Sequence, residues 1–233
     1  VVVGDVEKAF LNAEIGACPG QSDVYVEDPM DWGVVWHLQK ALYGLRGSPA
    51  AWAITLSKAL EKRGWEADLL DSCLYRHHSG CALAIHVDDV MAVGDRATLM
   101  PLLEEIRSDF PMGLAEVTGE PTLYLGKELA KTSEGYRFGV PHSYVTEAAR
   151  DFGATRFRRQ WAWRMPKEDE PVLECPHQQK EYRSLVGRLA WLDRLDCRVA
   201  VVRLSTRLGR ARETDWDNAT GVLEYLASNP RQQ

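Results

Sequence analysis

The stretch Cys81-Ala82-Leu83-Ala84-Ile85-His86-Val87-Asp88-Asp89-Val90-Met91-Ala92-Val93-Gly94 sets two apolar runs on either side of an adjacent pair of aspartates. Runs of this length bounded by turn formers read as strands, so the stretch predicts a β-hairpin whose two-residue turn is Asp88-Asp89. Two carboxylates at a hairpin tip are costly: like charges about 4 Å apart repel by roughly 4 kcal/mol at an effective dielectric near 20. Divalent cations offset that cost, and an all-oxygen ligand set favours Mg²⁺ or Mn²⁺. From these residues alone a solvated turn is the plainer account, because aspartate is a common turn residue.

Upstream, Val1-Val2-Val3-Gly4-Asp5 reads as a strand ending on a third aspartate. If Asp5 lies beside Asp88 and Asp89 in one sheet, three carboxylates converge. The chain continues with a turn or short helix over 6–15, short strands over 24–27 and 34–38, and a loop, Tyr43-Gly44-Leu45-Arg46-Gly47-Ser48-Pro49. Ser48 is expected as N-cap and Pro49 at the first helical position of a helix over 50–63, with Trp52, Leu56, Ala59 and Leu60 as its apolar stripe. Strands are predicted over 72–76 and 81–87, then a helix over 97–110. A second hairpin is predicted from 123–129 and 136–140. Helices over 142–152, 180–193, 198–210 and 218–226 complete the chain, with a loop over 166–176. This order predicts an α+β fold: a mainly antiparallel sheet with helices on one face, then a helical region. The division is placed at residues 1–140 and 141–233.

Composition bounds the function. The 233 residues suffice for one large or two modest domains. No apolar run approaches the roughly 20 residues of a membrane span, and no signal peptide is present, so an intracellular protein without membrane contact is expected. Cys18, Cys73, Cys81, Cys175 and Cys197 form no metal-ligand spacing and read as reduced thiols packed as small apolar residues. The net charge of −6 is unevenly spread. Residues 1–130 carry 10 basic and 20 acidic side chains (−10), whereas residues 131–233 carry 18 and 14 (+4). A polyanion would therefore lean on the second half.

Five segments in register resemble the copia-type retrotransposon reverse transcriptases. Asp5-Val6-Glu7-Lys8-Ala9-Phe10-Leu11-Asn12 is similar to that family's Asp-Val-Lys-Thr-Ala-Phe-Leu-Asn. The segment from Leu42 to Trp52 resembles its Leu-Tyr-Gly-Leu-Lys-Gln-Ala-Pro-Arg-x-Trp. His86-Val87-Asp88-Asp89 matches Tyr-Val-Asp-Asp at three of four positions, with His86 in place of Tyr. Leu123-Tyr124-Leu125-Gly126-Lys127-Glu128-Leu129 resembles Phe-Leu-Gly-x-Glu-Leu. Tyr182-Arg183-Ser184-Leu185-Val186-Gly187-Arg188-Leu189 resembles Tyr-Arg-x-x-Val-Gly-x-Leu. Leu195-Asp196-Cys197-Arg198-Val199 departs from the family's Thr-Arg-Pro-Asp-Ile.

The resemblance implies a polymerase palm in residues 1–140 and a thumb- or connection-like region in 141–233. It implies Asp5, Asp88 and Asp89 as catalytic carboxylates holding Mg²⁺ or Mn²⁺, with the Val6 carbonyl as a further ligand. Phe10 would exclude a ribonucleotide 2′-OH, or else be a core aromatic. Tyr43 and Gly47 would shape the nucleotide pocket, and Arg46 would touch template or triphosphate, or be merely solvated. His86, Val87, Leu125, Gly126 and Lys127 would contact the primer, Gly126 by permitting close backbone approach; a plain hairpin glycine is the alternative there. The arginines between 150 and 164 and between 183 and 212 would follow the duplex backbone. The implied partners are an RNA template, a DNA or RNA primer duplex and a deoxynucleoside triphosphate; the fingers segment, which in that family lies upstream, is expected to be missing from this chain. Two other readings stay open: a catalytically silent retrotransposon remnant acting as an interaction module, and a metal-dependent phosphatase or nuclease, which leaves the Tyr43–Trp52 and 123–129 motifs unexplained.

Overall fold

The computed structural model describes residues 1–17, 23–167, 169–192 and 194–229. Cys18 and Asp193, the latter the predicted end of the helix over 180–193, lie outside the described residues, as does Glu168 of the predicted 166–176 loop. The chain forms two compact units, Val1–Leu125 and Gly126–Gln233. Among the described residues no helix is long and apolar enough to cross a membrane.

The first unit is built on a six-stranded sheet in the order β4-β5-β6-β7-β1-β8, every neighbouring pair antiparallel. Its strands are β1 (Val2–Val6), β4 (Trp65–Ala67), β5 (Leu74–His77), β6 (Ala82–His86), β7 (Asp89–Val93) and β8 (Met112–Glu116). A separate two-stranded hairpin pairs β2 (Tyr25–Glu27) with β3 (Val35–His37), and β9 (Thr122–Tyr124) closes the unit. The short α1 (Ala9–Asn12) and the longer α2 (Ser48–Glu61) and α3 (Arg96–Asp109) supply the helices. Helix α2 buries Trp52, Leu56 and Leu60, spaced four residues apart so that they share one face. Helix α3 buries Leu99, Leu103 and Ile106, and its first turn is capped by the Asp95 carboxylate, which accepts from the Thr98 amide. These stripes join Val2, Val6, Leu83, Val90 and Ala92 of the sheet in one core.

Side-chain alternation decides what the other face carries. Val2, Gly4 and Val6 of β1 pair with Ala92, Val90 and, on β8, Met112, and these point to the helices. The intervening residues Val3, Asp5, Asp89 and Met91 therefore lie on the opposite face.

The second unit opens with the hairpin of β10 (Lys127–Lys131) and β11 (Tyr136–Gly139). Four helices follow: α4 (His142–Asp151), α5 (Pro176–Leu192), α6 (Arg198–Ser205) and α7 (Glu213–Ser228). Tyr182, Leu185, Val186, Leu189 and Leu192 form the buried stripe of α5, packed with Leu204 of α6 and Val222, Leu223 and Leu226 of α7. Cys81 and Cys197 are free thiols buried in the two cores, while Cys73 and Cys175 are free and exposed. Burial pushes the Cys197 thiol up to about 12.

The α+β architecture agrees with the sequence reading, and four local expectations are corrected. The hairpin tip is Val87-Asp88, not Asp88-Asp89, because Asp89 continues the ladder opposite both His86 and Asp5. Ser48 is the first residue of α2 rather than its cap: Gly47 is already helical, and the Ser48 hydroxyl turns back to Leu42 instead. The predicted strand over 123–129 is broken at Leu125 and Gly126, both left-handed with φ of 49° and 71°. Strands β4 and β8 form where no strand is predicted, each short and satisfied by its sheet neighbour.

Candidate active site

Four strands bring four residues into one row. His86 stands opposite Asp89, Asp89 opposite Asp5, and Asp5 opposite Gly113, running across β6, β7, β1 and β8. A side chain added at Gly113 would meet nothing within 4 Å, so the row ends in open space beside Asp5. Asp88 joins it from the turn, where its carbonyl accepts the Val6 amide at 2.9 Å.

The electrostatics record the crowding. Partial burial, then Asp88 and Glu7, raise the Asp5 carboxyl above the ordinary 3.8. Partial burial, Asp88 and Asp5 raise Asp89 likewise, with His86 acting the other way. Burial and the nearby Asp89 push the Tyr124 phenol up as well. The donor set is all oxygen and suits a hard divalent cation. Among the described residues, however, no group of three or more carboxylate, imidazole or thiol side chains is already gathered to hold an ion. The backbone brings the three aspartates together without closing their carboxylates into a cage.

The turn itself is under strain. Val87 has φ of 60°, and a β-branched residue in the left-handed region is a true outlier, costing about 1–2 kcal/mol. Val87 is 43% exposed. The indole N–H of Trp52 donates to the Val87 carbonyl at 2.6 Å, and the indole meets Phe110 edge-on at 5.0 Å between centroids.

Of the other predicted positions, Phe10 and Tyr43 come together, their rings 4.7 Å apart and tilted by 48°. Phe10 is half-buried against the core, whereas Tyr43 is exposed. Asn12 closes the turn beneath Phe10 through bonds to the Glu7 and Lys8 carbonyls. Arg46 is exposed and Gly47 buried. Leu125 ends the first unit, and Gly126 opens the second, where an added methyl would lie 3.3 Å from the Trp191 ring. The Lys127 ammonium sits over Phe138 at 5.4 Å and over Trp191 at 5.6 Å.

A comparison with family models decides the lineage: residues 1–162 match the model of the reverse transcriptase (RNA-dependent DNA polymerase) family. The chain belongs to the reverse transcriptase family. It is 27% identical to the retrovirus-related Pol polyprotein from transposon RE2 of Arabidopsis thaliana, over 97% of this chain and 16% of the polyprotein. Identity to the corresponding polyprotein of transposon RE1 from the same plant is 28% with the same coverage. For that of transposon TNT 1-94 of Nicotiana tabacum it is 26%, covering 95% of this chain and 18% of the polyprotein. The reverse transcriptase chain thus spans about one-sixth of the length of these relatives.

Several arginines expected along a duplex are tied to partners inside this reverse transcriptase chain. Arg158 pairs with the buried Glu224, Arg188 with Asp151 at 2.9 Å, and Arg194 with Asp196 at 2.6 Å. Arg203 lies over Trp163, and Arg212 donates to the Lys167 carbonyl. Two features escaped the sequence reading. The Trp52–Val87 bond joins residues 35 apart and leaves no local signal, and Gly113 is one glycine among 18.

Proposed function

We propose that this chain carries the palm of a copia-type RNA-directed DNA polymerase in residues 1–140 and a thumb- or connection-like region in residues 141–233. The observation that carries the reading is the pairing of Asp5 with Asp89, with Asp88 tied to Val6 from the adjoining turn. Asp5, Asp88 and Asp89, with the Val6 carbonyl, would hold two Mg²⁺ or Mn²⁺ ions. Such ions supply charge neutralisation for the attacking 3′ hydroxyl and the departing pyrophosphate. The carboxylates orient and charge-balance that site, since phosphoryl transfer depends chiefly on positioning and electrostatics. The Phe10–Tyr43 pair would form the wall that meets the sugar of an incoming deoxynucleoside triphosphate, beside Arg46 and Gly47. His86, Val87, Leu125, Gly126 and Lys127 would contact the primer of an RNA-templated duplex.

The test is primer extension on poly(rA) with oligo(dT) and Mg²⁺, comparing the chain with Asp88→Asn. Extension that the substitution abolishes supports the reading; extension unchanged by it rejects the assignment of Asp88. A second reading, a silent interaction module, draws on His86, which puts an imidazole opposite Asp89 where the family has tyrosine. Restoring tyrosine by His86→Tyr separates the two: extension that appears only in this variant identifies His86 as the inactivating change.

A further inference from the structure

Trp52 is 2% exposed, sits on α2, and spends its indole N–H on the tip of a hairpin from another part of the sheet. Burial alone does not force that bond. Trp65, 1% exposed in the same core, leaves its indole nitrogen without a partner among the described residues. The bond falls on the carbonyl of Val87, the residue whose backbone is left-handed and which is 43% exposed. The next carbonyl, that of Asp88, is held from the other side by the Val6 amide at 2.9 Å. Two successive carbonyls of the strained turn are therefore clamped by two different elements, α2 and β1. Strained turns persist only where their surroundings over-determine them. The Phe110 edge contact keeps the indole from swinging away, and the start of α2 is itself anchored through Ser48 to Leu42.

We propose that Trp52 is a positioning residue for Asp88: its N–H holds the Val87 carbonyl and so maintains the left-handed turn that sets Asp88 beside Asp5 and Asp89. The functional half of this inference rests on the metal-site reading above, while the structural half stands without it. It also makes α2 the mechanical link between the Tyr43–Gly47 loop and the carboxylates.

Two readouts test it on the full chain. The first is hydrogen exchange of the Val6 amide, which reports the Asp88 side of the clamp without any metal. Trp52→Phe should accelerate this exchange roughly tenfold, the usual effect of losing one neutral hydrogen bond. Adding Val87→Gly, which frees the turn from its left-handed penalty, should restore protection. Trp65→Phe, a change in the same core that removes no hydrogen bond, should leave Val6 protected. The second readout is Mn²⁺ affinity by water proton relaxation: weakened by Trp52→Phe and recovered in the double variant. If Trp52→Phe does not fold, benzothienylalanine placed at position 52 keeps the ring shape and removes only the N–H. Unchanged Val6 exchange, equal acceleration by Trp65→Phe, or no rescue by Val87→Gly would overturn the proposal. If the parent chain binds Mn²⁺ no better than Asp88→Asn, the metal-site reading fails, and the Val6 exchange alone decides the role of Trp52.

Discussion

Gly4 lies so close to β8 that a methyl group on it would stand 2.8 Å from the Gly113 carbonyl oxygen and 2.9 Å from Leu114. Backbone cannot step aside as the end of a side chain can. Gly4→Ala should therefore push β1 from β8 beside Asp5, costing about 1–3 kcal/mol. Thermal unfolding should show the loss. An unchanged Tm would mean that the two strands slide apart freely.

Asp5 and Asp89 repel each other and Asp88 in the ion-free protein, and each holds its proton to a higher pH than an isolated aspartate. Their folded values lie above the unfolded 3.8, so their charge destabilises the fold at neutral pH, and this cost fades as pH falls through the raised folded values. Asp5 is exposed and Asp89 only part-buried, so solvent screening keeps the effect small. Asp89→Asn should raise the ion-free Tm at pH 7 by roughly 1–3 °C while weakening Mn²⁺ binding. A variant that loses both stability and Mn²⁺ affinity would show that Asp89 serves the fold instead.

The same shifts set the pH dependence of ion binding. Protons and cations compete for the carboxylates, so Mn²⁺ affinity should begin to fall at a pH above that expected for an aspartate of pKa 3.8. Calorimetric titration between pH 4 and 7 would reveal it, at pH values chosen around roughly the ordinary carboxylate range. A curve that turns only below 3.8 would remove the claimed coupling.

In the second unit, the buried Tyr182 hydroxyl donates to the Leu204 carbonyl at 2.9 Å. That carbonyl also accepts the Arg207 amide, so Tyr182→Phe does not leave it bare. The expected cost is about 1 kcal/mol, or roughly 2–4 °C in Tm. A loss several times larger would show that the ring, and not the bond, had been disturbed.

Asp196 accepts two bonds from Arg194, at 3.0 and 2.6 Å, and one from the Tyr225 hydroxyl at 2.8 Å. The Arg194 bonds hold its carboxyl below 3.8. Its contribution is thus fully present above 3.8 and is lost as pH falls through the lower folded value. Asp196→Asn should cost about 1–2 kcal/mol at pH 7, moderated by partial exposure, and less as the solution is acidified. Denaturant midpoints at pH 7 and in strong acid would distinguish this from a pH-independent packing loss.

The sequence disclosed most of what is periodic. The apolar stripes of α2 and α3 and the apolar runs of β6 and β7 are local patterns, and those elements appear close to where the patterns place them. The family motifs carried the pairing of Asp5 with the hairpin, which no local pattern contains. What escaped depended on partners far along the chain. Strand β8 owes its form to β1, more than a hundred residues upstream. The hairpin tip shifted by one residue because the β1 ladder claims Asp89. Asp196, in a segment that departs from the family pattern, accepts from the Tyr225 hydroxyl, a partner 29 residues further on that only the folded chain brings to it.

Because strand side chains alternate with a period of two, the row from His86 to Gly113 has no graded failure. A substitution in β7 changes one position. One residue gained or lost within the Ile85–Val90 stretch shifts the whole strand and would turn Asp89 toward the helices, burying a charge where Val90 now packs. Chain length in this segment is therefore more tightly constrained than side-chain identity, and among diverging copies gaps should be rarer here than amino-acid changes.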